Sequence, residues 1–401
     1  MLPLSFGDAA DRHALIARAR HQFLEAAQGS ASRPVQPPQG ISPWLWHSWR
    51  RCMERGHRPA DRVAFDTLSP KVLQDAQDRE FTLLQAAKPV MHQLAGAVGA
   101  LRYFCLLTDS TGTVLQVQGP VDHHDLRAVA VGRPGVDLSE SRIGTSAIGA
   151  ALAEQAPAWL HRREHFFDDL RDYSCAGTPI FSPGGQCSAM LCITGIDVPE
   201  RPELLYLAVR CARAIEDRLV RALPHALLLR LNWPGGPLGQ EGEGLLAFDA
   251  DGGLLGGNTV ARQLVPRPSP PLQAPDQVPP LHAHELLALP WRNLLEHARL
   301  RPQTLLQLPL WSGLRLQALA QAAPPRPAPA MTGHAPVTLA GQTAGSLLRT
   351  NEQLLIQQVL QETQGNVSLA AKSLGLSRAT LYRRLAVKRS SIPPGTPPDL
   401  P

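Results

Sequence analysis

The amino-acid sequence predicts a multidomain α+β protein, with two antiparallel-sheet units followed by a small all-α domain. Three observations carry this. FCLLTDSTGTVLQVQG, TPIFSPGGQCSAMLCITG and GLLAFDADGGLLGGNTVARQLV each read as strand, Gly-containing turn, strand. A Pro/Ala/Gly-rich stretch, residues 322–345, separates them from the C-terminus and reads as a flexible spacer. Beyond it lie short amphipathic helical segments with cap and turn residues between them. At 401 residues, two to four domains are expected, and 44% apolar residues suffice for several cores.

The elements follow in order. A helix near residues 10–27 ends in QGSASRPVQPPQGISP, a run of breakers that closes a separate N-terminal piece. In ISPWLWHSWRRCMERGHRP, Trp46, Trp49 and Met53 recur at helical spacing and form a core stripe, so residues 1–85 are read as a helical region. Residues 86–220 hold the first two hairpins and end in a helix striped by Leu204, Leu205, Ala208, Cys211, Ala212 and Ile215. Residues 240–321 open with the third hairpin, whose Asn258 can cap the next helix, and finish with the strand-like LWSGLRLQALAQ after a Pro-rich insertion at 266–280. Residues 346–389 are the all-α domain and 390–401 a tail.

The C-terminal code is TNEQLLIQQVLQETQGNVSLAAKSLGLSRATLYRRL. Gly365 stops a first helix, and Asn366 caps a second that turns Val367, Ala370, Ala371 and Leu374 inward. Gly375 makes the turn, Leu376 plugs the angle, and Ser377 caps a third helix anchored by Leu381 and Leu385. This spacing predicts a helix-turn-helix. Residues 351–389 carry a net +4 of the chain's +5, so the basic character is concentrated where duplex DNA would be met. A recognition helix enters the major groove N-terminus first, so Arg378 and Thr380 face base edges. Ser377, Tyr382 and Arg383 share the exposed face, and Arg384 and Lys388, with Arg389, meet phosphates.

These residues resemble the Fis-type domain of bacterial sigma-54 enhancer-binding regulators. ISPWLWHSWRRCMERG is similar to the N-terminal element of their acetoin-catabolism activators. GVDLSESRIGTSAIGAALAEQAPAWLHRREHFFDDLRDYSCAGTPIFSPGG resembles their GAF sensory domain, and GLLAFDADGGLLGGNTVARQLV resembles a following PAS unit. The chain departs from the usual GAF pattern where Leu138 replaces a common tryptophan, Ser146 replaces the asparagine of GTNAIG, and Thr178 precedes Pro179 and Ile180. The resemblance implies GAF-like and PAS-like sensory domains before a Fis-type helix-turn-helix, and a homodimer pairing through Leu354, Leu355, Val359 and Leu360. The central AAA+ ATPase of that class has no counterpart: the sequence holds no Gly-Lys dipeptide, hence no GxxxxGK[ST] phosphate loop, and no GAFTGA loop.

A GAF fold encloses a cavity, for which Tyr103, Cys105, Phe166, Phe167, Cys175 and Ile180 are the candidate lining. In the same segment, Arg142, Gly144 and Thr145 can instead serve only to end one element and cap the next. Cys175 and Cys192 are read as buried thiols rather than oxidant sensors. HRREH at 161–165 fits the H-x-x-E-H zinc-peptidase pattern, but it follows Pro157, precedes a loop and lacks an evident third ligand, so no metal site, cofactor or enzymatic activity is expected. Six cysteines without a CxxC pair argue for reduced thiols. The N-terminus has no secretory pattern, and the uncharged stretches 173–196 and 327–348 are broken by Pro, Gly, Ser or Gln, so a cytoplasmic protein without a membrane partner is expected. The expected partners are double-stranded DNA, a second copy of the chain, a small-molecule effector, and RNA polymerase or an ATPase-bearing regulator.

Overall fold

The computed structural model describes residues 9–28, 36–265, 281–323, 356–357, 359–374, 378 and 381. They fall into two compact units divided between Arg326 and Pro327.

In the first unit, helices α1 (Ala9–Gln28), α2 (Pro43–Glu54), α3 (Pro70–Arg79) and α4 (Phe81–Gly99) precede a five-stranded antiparallel sheet. Its strands are β1 (Tyr103–Asp109), β2 (Val114–Gln118), β3 (Ala158–His161), β4 (Tyr173–Phe181) and β5 (Cys187–Ile196), in the order β2-β1-β5-β4-β3. Between β2 and β3 lie α5 (Leu126–Val131), α6 (Glu140–Ile143) and α7 (Ala147–Glu154). The β1-β2 turn is tied by Asp109, whose Oδ1 accepts from the Thr111 and Thr113 amides at 2.9 and 3.0 Å.

Both faces of this sheet are covered. Phe104, Leu106, Tyr173, Cys175 and Cys192 point to a core shared with α1, α2 and α5–α7, while Tyr103, Cys105, Leu107, Ile180 and Ile193 point to a core under α4 and α8 (Leu204–Arg221). This is the period-two alternation of a pleated sheet. The N-terminal helices are therefore not a separate piece: Ile16, Ala19 and Phe23 of α1 and Trp46 and Trp49 of α2 sit in the same core as the sheet. Phe23 meets Trp46 edge-on at 4.9 Å, and the Trp49 Nε1–H donates to the Glu164 carbonyl at 2.9 Å.

A second antiparallel sheet has the order β8-β7-β6-β10-β9, from β6 (Leu227–Asn232), β7 (Gly244–Phe248), β8 (Leu254–Gly257), β9 (Leu306–Pro309) and β10 (Arg315–Ala322). Helices α9 (Thr259–Leu264), α10 (Ala283–Leu286) and α11 (Trp291–Leu300) cover one face. The sheet starts at Leu227 rather than at residue 240, because β6 pairs with both β7 and β10 and holds the centre. Asn258 caps α9 as its sequence position predicts, its Oδ1 accepting from the Ala261 amide at 2.8 Å. Helix α8 serves both sheets. Its buried Glu216 accepts from the Phe181 amide at the end of β4 (3.0 Å) and from the Thr259 amide at the start of α9 (2.9 Å). Val220 near its end packs with Leu228, Leu245 and Ala247. Ala322, the first residue of the expected spacer, ends β10; the rest of it from 324 to 345, the Pro-rich insertion at 266–280 and the tail at 390–401 lie outside the described residues.

In the second unit, residues 356–357 and 359–362 are helical, and α12 spans Val367–Ser373.

Candidate functional site

The helix-turn-helix is built by local chemistry. Gly365, at φ +84°, donates to the Leu360 carbonyl at 2.7 Å and ends the first helix in a left-handed conformation that glycine adopts without a Cβ penalty. Asn366 Oδ1 then accepts from the Ser368 and Leu369 amides at 3.1 and 3.2 Å, starting α12. Ile356, Ala370, Ala371 and Leu381 form the buried core, with Val359, Leu360, Val367 and Leu374 packed against it. Arg378 is half-buried and its guanidinium donates to Ser368 Oγ at 3.5 Å. Ser377, Thr380, Tyr382, Arg383, Arg384 and Lys388, with Gly375, Leu376, Leu385, Leu354 and Leu355, lie outside the described residues.

On the first sheet, the six candidate lining residues do not converge. Tyr103, Cys105 and Ile180 point to the α4/α8 face, whereas Phe166, Phe167 and Cys175 belong to the opposite core. The cavity on that second face is lined by Phe65, Leu106, Val131, Leu138, Ile143, Ser146, Ala147, Ile148, His165, Leu170, Tyr173, Cys175, Cys192 and Thr194, so Cys175 alone of the six reaches it. The physical reason is the strand period: Cys105 and Cys175 reside on different strands, and only the phase of each strand relative to its covering helices decides which face a side chain takes. The cavity measures about 20 Å³, room for about one water. Its hydrogen bond with Cys192, and then burial, hold the Cys175 thiol well above its ordinary range. The Cys175 side chain is buried.

The GAF-like motif is the anchor of α2. Glu140 is buried and accepts from Arg51 Nε at 2.7 Å, a second Arg51 nitrogen at 2.9 Å, Arg55 at 2.9 Å and Ser48 Oγ at 3.1 Å. With its one proton given to Glu140, Ser48 Oγ accepts from the Thr145 hydroxyl at 2.8 Å. Gly144, at φ +63° and ψ −152°, takes a conformation open essentially to glycine alone, and Ser146 caps α7 through the Gly149 amide at 3.0 Å. Arg142 pairs with Asp137 at 3.6 Å and Asp66 at 3.5 Å. The contacts that tie α2 to Glu140 and Thr145 are not apparent from spacing, because their partners are some 90 residues apart in the chain.

HRREH does not form a zincin helix. It ends β3 and makes a 3-10 turn at Arg162–Glu164. Glu164 is buried, pairs with Arg12 of α1 and accepts from the His161 amide at 2.6 Å, while burial pushes its carboxyl up to about 7. His165 Nδ1 faces the Arg162 carbonyl at 2.9 Å, and burial holds the ring down at about 4. Arg20 of α1 donates to the carbonyls of His165 and Phe166 at 2.6 and 2.5 Å, fixing the turn against the helix.

Comparison with known proteins places these features. The family described as the N-terminal domain of MimR matches residues 13–217, and the Fis family of bacterial regulatory proteins matches residues 348–386. The chain is 29% identical over 247 residues to the acetoin catabolism regulatory protein of Cupriavidus necator, covering 59% of this chain and 37% of that one. It is 30% identical over 205 residues to the propane 2-monooxygenase operon transcriptional activator MimR of Mycolicibacterium goodii, covering 50% and 33%. The match thus spans about a third of the length of these relatives. Among solved structures, the complex of E. coli DhaR(N) with DhaL aligns over 70% of this chain and 100% of that one at 14% identity and a TM-score of 0.43. Among the described residues, no helix is long and apolar enough to cross a membrane.

Proposed function

The chain belongs to the family defined by the MimR N-terminal domain and carries a Fis-type helix-turn-helix, and we propose that it is a one-component transcriptional regulator whose DNA binding answers to a small molecule but which cannot by itself drive sigma-54 promoter opening. The observation that carries this is what lies between sensor and DNA-binding domain. There the chain builds the β6–β10 sheet, and nowhere does it hold the Gly-Lys of a phosphate loop. Without that loop nothing couples nucleotide hydrolysis to polymerase remodelling, and the protein acts as a DNA-binding switch rather than an enzyme. The effector site is the cavity around Cys175, Cys192 and Thr194, which must widen on binding. Tyr103, Cys105 and Ile180 support that face of the sheet from behind, and Phe166 and Phe167 pack the turn beside it. Ser377, Arg378, Thr380, Tyr382 and Arg383 read the duplex, with Arg384 and Lys388 on phosphates, as a cytoplasmic homodimer.

A second reading is favoured by the same missing loop set against a relative named as an operon transcriptional activator: mixed dimers with an ATPase-bearing regulator, whose sites this chain shares or blocks. Reconstituted transcription decides. With this chain as sole activator, DNA binding is expected without ATP hydrolysis or open complexes at a sigma-54 promoter, and ATP-dependent open complexes would refute the proposal. Genome-wide binding with and without the ATPase-bearing relative separates the two readings.

A further inference from the structure

Three side chains far apart in sequence meet where α1, the end of β3 and the segment before α8 come together. We propose that His13, His161 and Glu200 bind a divalent first-row transition cation, with zinc as the probe. One donor atom from each lies within 4.8 Å of the others. A tetrahedral ion with bonds of about 2.1 Å sets its ligands roughly 3.4 Å apart, so closure asks only rotamer adjustments of His13 and Glu200.

Two further observations point to a ligand. Glu200 Oε2 is buried and has no hydrogen-bond partner among the described residues, a costly state for a carboxylate oxygen that a cation would relieve. His161 is itself buried, stacks parallel on Trp159 at 5.9 Å, and sets Nδ1 against Ser174 Oγ at 3.1 Å. A hydroxyl so placed can fix a ligating imidazole: with Nδ1–H donated to Ser174, the other ring nitrogen keeps its lone pair for the metal. The nearby Arg12 cation does not forbid the site. It is paired with buried Glu164 and lies over the Trp159 ring at 4.8 Å, and it touches only the other Glu200 oxygen, at 3.4 Å. Of the three, His13 also lines an open cleft with Arg162, Arg163, Arg171 and Asp172.

Two histidines and one carboxylate suit zinc and its neighbours better than calcium or magnesium. The site differs from the H-x-x-E-H reading of the sequence. His161 takes part, but His165 is turned to the Arg162 carbonyl and Glu164 to Arg12. A bound ion would stitch α1 to the sensory sheet.

The test is equilibrium dialysis of the full reduced chain against zinc, with the cobalt(II) spectrum as a second readout. Wild type should hold one zinc, and His13→Gln and Glu200→Gln, which spare the buried His161, should each weaken it by more than about tenfold; Ser174→Ala should cost about 10- to 100-fold. Zinc should raise the melting temperature of wild type and not of either ligand variant. No zinc on wild type, undiminished affinity in both ligand variants, or a cobalt-thiolate charge-transfer band showing that cysteines hold the ion would overturn the site.

Discussion

The clamp between α2 and the GAF-like motif can be measured by a double-mutant cycle on Arg51→Ala and Glu140→Ala. Glu140 exposes 7% of its side chain and accepts two bonds from Arg51, in the fork geometry that suits a carboxylate. These bonds raise the Arg51 pKa further above its already high value. Breaking a fully buried pair costs about 3–5 kcal/mol, but 27% of Arg51 remains exposed, and Arg55 keeps a second hold on Glu140. Net charge-assisted hydrogen bonds contribute about 1.5–3 kcal/mol, so a coupling energy of about 2 kcal/mol is expected. Urea denaturation of the wild type, the two single variants and the double variant gives it directly. Because Ser48 also bridges Glu140 to Thr145, Glu140→Ala alone should cost more than Arg51→Ala. A coupling energy below about 0.5 kcal/mol would refute the view that this ion pair anchors α2.

In DNA binding, Arg378→Ala should lose about 1–3 kcal/mol at a specific site while sparing nonspecific duplexes, whereas Arg384→Ala should weaken all duplexes and flatten the salt dependence. Equal specific binding by wild type and a folded Arg378→Ala, in fluorescence anisotropy, would sink the base-edge assignment. His165 has a folded pKa depressed to about 4 by burial. Its contribution, about 3 kcal/mol, is therefore present above the unfolded value near 6.5 and lost as pH falls through 4. His165→Asn should flatten the pH dependence of the urea midpoint between about pH 6.5 and 4. An unchanged slope would mean that the ring is not buried neutral. Gly144→Ala should cost about 1–3 kcal/mol from its backbone conformation, and more because the new Cβ would lie 2.8 Å from the Phe167 ring. An unaltered melting temperature would contradict the observed φ and ψ.

What could be read in the sequence was whatever is decided within a few residues. Asn366, Gly365 and Asn258 act on backbone groups two to five positions away, and the Asp turns close on themselves, so caps, stops and hairpins were legible. Face assignment was not. Alternation tells that Cys105 and Leu106 point oppositely, but not which side is roofed by α4 and α8, and the six candidate lining residues are therefore divided between the two faces. Strand β6 was missed because LLLRLN follows a helix with no turn residues to announce a strand apart from Pro224. The joining of α1 to the sheet depends on Arg12, Arg20 and Glu164, whose types are ordinary and whose meeting is purely tertiary.

Helix α8 has a practical consequence for anyone dissecting the protein. Cutting after residue 220 looks reasonable from sequence, yet it would strip Glu216 of the Thr259 amide and bare Val220, which the intact chain keeps under β6 and β7. The excised piece would carry a sticky end manufactured by the cut, and its solubility would report on that wound. The smallest transplantable module accordingly runs through Ala323, whose amide bonds to the Ala226 carbonyl at 2.9 Å and closes the second sheet. A chimera that borrows the first sheet should take both sheets together or replace the lost cover by design.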